Sequence, residues 1–153
     1  MIHAAALALL LFAPARPPVA IYVGPLVRDG FADVDRGVTD SIKDLRHHLQ
    51  SEIGKKRARF VDDEKTADVK VYVVGRGTTE SASTTTTGAV IGNVGVATSA
   101  PDNLKRLDIR LRAGTYERGF VAEKGSWSDL SLRIAKDISA WLEANHARVL
   151  SRP

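Results

Sequence analysis

The chain has 153 residues, 22 Lys and Arg against 18 Asp and Glu, a formal net charge of +4, and no cysteine. The missing cysteine excludes disulfides, thiolate zinc sites, cysteine nucleophiles and iron–sulfur clusters, and a lipoprotein anchor attached through that residue. The charge excess is small and interleaved with acids, so it suits an anionic neighbour such as a membrane surface or an envelope polymer rather than a specific nucleic-acid site.

Residues 1–15 (MIHAAALALLLFAPA) carry no Lys, Arg, Asp or Glu. The apolar run from Ala4 to Ala13 is ten residues long. As a helix it spans roughly 15 Å, about half a hydrocarbon core, which is too short to cross a membrane and right for a signal h-region. Ala13-Pro14-Ala15 fits a small-residue processing site, although Met1-Ile2-His3 lacks the usual Lys or Arg. A signal peptide over 1–15 is expected, leaving residues 16–153 as one domain, periplasmic or secreted after cleavage near Ala15.

Val19 to Val23 is a β-rich apolar run closed by Gly24-Pro25 and reads as a buried strand. Val38, Ile42, Leu45, Leu49 and Ile53 recur at helical spacing. With Asp33 or Asp35 as N-cap and Gly54 as stop, they predict a helix over about 35–53. Residues 59–62 read as a short strand and 63–66 as a polar turn. Asp68 to Gly75, with Val69, Val71 and Val73 on one face, reads as a strand. Leu107, Ile109, Leu111 and Ala113 alternate with Asp108, Arg110 and Arg112, and the segment 116–123 returns as the hairpin partner. Ser126 and Asp129 approximate a capping box, and Trp127, Leu130, Ile134, Ile138, Trp141 and Leu142 form the apolar sector of a helix over about 127–147.

This order predicts an α+β two-layer sandwich: a mostly antiparallel sheet of 4–5 strands with both helices on one face. Within it, 78–103 is an insert rich in Ser, Thr and Gly, with four consecutive threonines at 84–87. A structureless loop of this length in a domain needs a reason. Gly92-Asn93 suits a hairpin turn between weak arms at 88–91 and 94–98. The insert reads either as a mobile surface loop or as a protruding arm that pairs edge-on with a partner or touches a surface, and Val90, Ile91, Val94 and Val96 favour the arm.

Assembled chemistry is sparse. His47 and His48 lie near Asp44 on the first helix, but a zinc site needs a third ligand, and no metal or cofactor is expected. Gly75-Arg76-Gly77 lacks the further residues of a phosphate loop. Asp62, Asp63 and Glu64 sit where turn chemistry alone favours acids. Lys55, Lys56, Arg57 and Arg59 complement a helix C-terminus. Arg110, Arg112 and Arg118 are candidates for a patch facing an anionic partner, with Asp108 and Glu117 as competing cross-strand partners.

The stretch Phe60-Val61-Asp62-Asp63-Glu64-Lys65-Thr66-Ala67-Asp68-Val69-Lys70-Val71 resembles a pattern of bacterial envelope proteins. There a short strand ends in Val-Asp-Asp and is followed by Ala-Asp and a Val-rich strand. The element order is similar to small domains such as the amino-terminal domain of TolB and curli-secretion-lipoprotein-like folds. The resemblance implies a non-catalytic part of an envelope assembly, and it carries no site residues. The expected function is therefore an exported interaction or assembly module of the cell envelope, partnered by an envelope protein or an anionic surface. The alternative is a small periplasmic hydrolase with carboxylates in a cleft.

Overall fold

A computed structural model describes residues 17–28, 31–32, 35–54, 57–91 and 94–150, with 27–28, 31–32, 79–91 and 94–103 described by backbone course. The proposed signal segment and the Gly92-Asn93 turn lie outside the described residues. In chain order the elements are β1 (Val19–Pro25), β2 (Val27–Arg28), β3 (Phe31–Ala32), α1 (Arg36–Ile53), β4 (Ala58–Val61), a 3₁₀ turn (Glu64–Thr66), β5 (Val69–Ile91), β6 (Val94–Ala113), β7 (Tyr116–Glu123) and α2 (Trp127–Leu150). Five strands form one open sheet in the order β4-β1-β5-β6-β7, and β2 and β3 pair separately. The expected α+β fold is present.

The sheet is built in two ways. β1 runs parallel to both β4 and β5, because the crossover through α1 returns the chain in the same direction. β5 pairs antiparallel with β6, and β6 with β7. At the second of these, Ala113 pairs with Tyr116 across Gly114-Thr115, and Gly114 takes φ 57°, as a two-residue hairpin turn requires.

α1 packs on β1, β4 and β5, α2 packs on β6 and β7, and the two helices pack on each other. Both therefore cover one face of the sheet. The core beneath them joins Ile21, Val69, Val71, Leu107, Ile109 and Leu111 from the strands to Leu45, Leu49, Leu130, Ile134 and Ile138 from the helices. Fully burying a side chain of this size is worth about 1.5–3 kcal/mol, so this layer is the main stabilising term.

The helix ends follow the side chains that precede them. Asp35, rather than Asp33, is the N-cap of α1: its Oδ1 accepts from the Val38 N–H at 2.6 Å. Gly54 ends the helix at φ 76°. At α2 the capping box closes reciprocally. The Asp129 N–H donates to Ser126 Oγ at 3.2 Å, and the Ser126 N–H and Oγ–H both donate to Asp129 Oδ2, at 3.0 and 2.7 Å. These bonds, the side-chain one foremost, lower the pKa of the Asp129 carboxyl. α2 runs three residues past the expected end, because Val149 is buried and Leu150 packs against the core, adding a turn to the apolar stripe.

Among the described residues, two buried hydroxyls, Ser41 Oγ and Ser131 Oγ, have no hydrogen-bond partner. A buried polar atom left unpaired costs about 1–3 kcal/mol. Ser131→Ala is therefore expected to raise the free energy of unfolding by about 1 kcal/mol, and a lower or unchanged urea midpoint would contradict this. Asp35→Ala removes the α1 cap and is expected to cost about 1 kcal/mol, measured in the same titration.

Candidate functional site

The insert is not a loop between two elements. β5 continues unbroken from the core to Ile91, and β6 returns from Val94 to Ala113. The expected arms at 88–91 and 94–98 are only the far end of this ladder. β1 pairs with β5 as far as Val73, and β7 pairs with β6 as far as Arg106. Beyond those points, apart from the Lys124 N–H donating to the Lys105 carbonyl at 3.2 Å, β5 and β6 pair only with each other among the described residues. The two-stranded part reaches about 40 Å at 3.3 Å per residue.

Two irregularities divide this ladder. One lies between Val73 and Gly75, at the last core pair. The other lies between Glu80 and Thr84, and beyond it the pairs run without interruption from Thr84↔Pro101 to Ile91↔Val94. The candidate residues Val90, Ile91 and Val94 fall in this outer segment, where Val90 is paired with Gly95. From Ser81 to Pro101 there is no Asp, Glu, Lys, Arg or His, and Glu80 and Asp102 bound the uncharged run.

The root of the arm is held by cations on an indole. Arg76 Cζ lies 4.6 Å and Lys105 Nζ 5.7 Å from the centroid of the Trp127 ring. The Arg76 guanidinium also lies across Gly37, where a Cβ would collide with it. The start of the arm is thus fastened to the first turns of both helices, each contact of this kind being worth about 0.5–1 kcal/mol at an exposed site. Gly75-Arg76-Gly77 is accordingly part of a strand, and no phosphate loop forms there.

The sheet face away from the helices carries ion pairs. Arg110 Nε and Arg112 Nε both reach Glu117, at 3.1 and 2.8 Å. Arg106 bridges Asp108 at 3.0 Å and Glu123 at 3.2 Å, and Lys70 meets Glu64 at 3.4 Å. Four cations therefore face four carboxylates, and an anion bound at Arg110 or Arg112 must compete with Glu117. Arg118 does not join them. It pairs in register with the buried Leu111, and its guanidinium lies 5.0 Å from the Phe120 ring, on the helix side. The one-residue offset between Glu117 and Arg118 puts them on opposite faces.

Tyr72 is buried on this charged face, 4% exposed. Its hydroxyl donates to Glu64 Oε1 at 2.6 Å, and Tyr22 meets its ring edge-on at 6.3 Å. Burial first, and then the Glu64 carboxylate, push the Tyr72 hydroxyl well above the ordinary tyrosine range. The pKa of Tyr22 rises for the same two reasons.

The acidic cluster is spent on structure, residue by residue. Asp62 pairs with Arg46 at 2.7 Å, Asp63 caps the 3₁₀ turn through the Lys65 N–H at 2.9 Å, and Glu64 serves Tyr72 and Lys70. His48 Nε2 meets Ser128 Oγ at 3.0 Å, a contact between α1 and α2 that no local motif announces, and His47 stands edge-on to His48. Among the described residues no group of three or more His, Asp or Glu side chains could hold a metal ion. Arg57 pairs with Glu143 of α2, while Lys55 and Lys56 lie outside the described residues. No helix among the described residues is long and apolar enough to cross a membrane.

No protein-family model matches the chain, and no curated protein is significantly similar to it.

The raised Tyr72 pKa has a testable consequence. A group whose folded pKa lies above its unfolded value contributes stability that is fully present below the unfolded pKa and is lost as pH rises through the folded one. Stability is thus expected to decline above about pH 10, where unfolded tyrosine ionises. Tyr72→Phe is expected to flatten that decline in urea titrations between about pH 9 and 11. An unchanged alkaline slope would contradict this.

Proposed function

We propose that this chain is an exported, non-catalytic interaction or assembly module of the bacterial cell envelope, with the β5–β6 arm as its contact element. The reading is carried by one observation: a two-stranded ladder standing beyond the rest of the sheet, with an uncharged stretch from Ser81 to Pro101. A hairpin with unpaired edges and no third strand is marginal in water by itself. A partner that adds a strand satisfies those edge groups with main-chain hydrogen bonds.

Export rests on the apolar leader at 4–13 and the Ala13-Pro14-Ala15 site, and places the mature chain in the periplasm or outside the cell. An envelope protein suits the uncharged arm better than an anionic surface does, because the arginines of the outer face already hold carboxylates. A carboxylate-based hydrolase gains no support from the acidic cluster, whose members are separately engaged.

The test compares the full chain with a variant lacking residues 82–100 in an envelope fraction. Co-purification of a specific envelope protein is expected with the full chain and is expected to be lost with the deletion, while the thermal transition of the remaining domain persists. The mature N-terminus is expected at Arg16. Equal recovery of partners by both forms would refute the arm as contact element.

A further inference from the structure

We propose that the arm pairs with the arm of a second copy of this chain, through the Thr84–Ile91 edge, antiparallel and about a two-fold axis. This rests on the reading of the arm as a contact element and names its partner.

The first argument is electrostatic. Copies of one chain carry identical charges, and like charges placed opposite one another across a strand pair are destabilising. The outer edge of the sheet at β7 bears Glu117, Arg118 and Glu123, and the edge at β4 is four residues long and bears Arg59. Both have the features that block edge-to-edge pairing. The arm edges, from Ser81 onward, bear no charge at all.

The second argument selects the strand. On β6, Pro101 has no N–H to donate, and only Val94, Val96 and Thr98 of the eight residues 94–101 are β-branched. On β5, the segment Thr84–Ile91 has six β-branched residues in eight and no proline. In an antiparallel pair centred on this segment, Thr84 and Thr85 stand opposite Ile91 and Val90, so β-branched residues meet across it. A head-to-tail contact of β5 with β6 would have to use the proline edge, whereas a contact of β5 with β5 is isologous and closes at two copies.

The third argument is the strand count. Pairing turns two ladders of two strands into one sheet of four and removes the two-stranded state that is marginal in water. Antiparallel alignment sends the two domains to opposite ends of that sheet, so the arm's reach keeps them apart.

The test uses the full chain, whose lack of cysteine permits single-cysteine scanning. Sedimentation equilibrium is expected to show a two-fold rise in mass with concentration. Cysteines introduced singly from Thr84→Cys to Ile91→Cys are expected to cross-link two copies, most strongly at the position nearest the axis, and those from Val94→Cys to Pro101→Cys are not. The double variant Thr85→Lys with Thr87→Lys is expected to lose the dimer and keep the thermal transition of the domain.

A monomer at every concentration overturns the proposal, as does cross-linking centred on 94–101, a closed assembly larger than two, or uptake of the arm by phospholipid vesicles without dimerisation. If the chain is monomeric yet still captures an envelope protein through the arm, this inference fails and the proposed function stands. If it dimerises and the deletion changes no capture, the reverse holds.

Discussion

The structure depends on the burial of one face of β5. Val69, Val71 and Val73 stand on that face under the helices, at 0%, 0% and 1% exposure. β5 is the central strand of the five, parallel to β1 on one side and antiparallel to β6 on the other. It also continues past the core as half of the arm. Because side chains alternate with a period of two, fixing these three valines fixes the faces of all its neighbours. Arg76 reaches the helix side only because the irregularity after Val73 shifts the register by one residue.

The two faces of the sheet and the arm thus have three distinct chemistries. The helix-covered face is apolar and supplies the stability. The opposite face is a lattice of ion pairs in which each guanidinium of Arg106, Arg110 and Arg112 holds a carboxylate. Exposed pairs of this kind contribute only about 0–1 kcal/mol each. Their physical effect is to fix side-chain positions and to leave little uncompensated positive charge. The outer run of the arm, from Ser81 to Pro101, carries no charge, which is why it, rather than the arginine face, carries the functional reading.

Much of the fold was legible because its signals are local. Asp35 and Gly54 bound a helix whose apolar positions recur every three to four residues, and Ser126 with Asp129 opens a second. The valines of β5 and the leucines of β6 alternate plainly. The arm was legible in part. Its weak arms at 88–91 and 94–98 were recognisable, but their continuity with the core strands was not. A run of Ser, Thr and Gly has no alternation of polarity to reveal a period, so between the core and residue 88 the strand propensity of four threonines was the main signal.

The sequence by itself determined the helices, the strand faces, the absence of cysteine chemistry and the uncharged character of 81–101. Those properties depend on residue type and on spacings of a few positions. The tertiary structure decided which strands pair in parallel, that Arg118 lies on the opposite face from Arg110 and Arg112, that Arg76 and Lys105 meet on Trp127, and that His48 meets Ser128 eighty residues away. Each of these requires segments distant in the chain to be brought together by a shared core, and no local pattern encodes that distance. The arm joins both kinds of information: its composition is written in the sequence, and its projection past the other described strands follows from where β1 and β7 end.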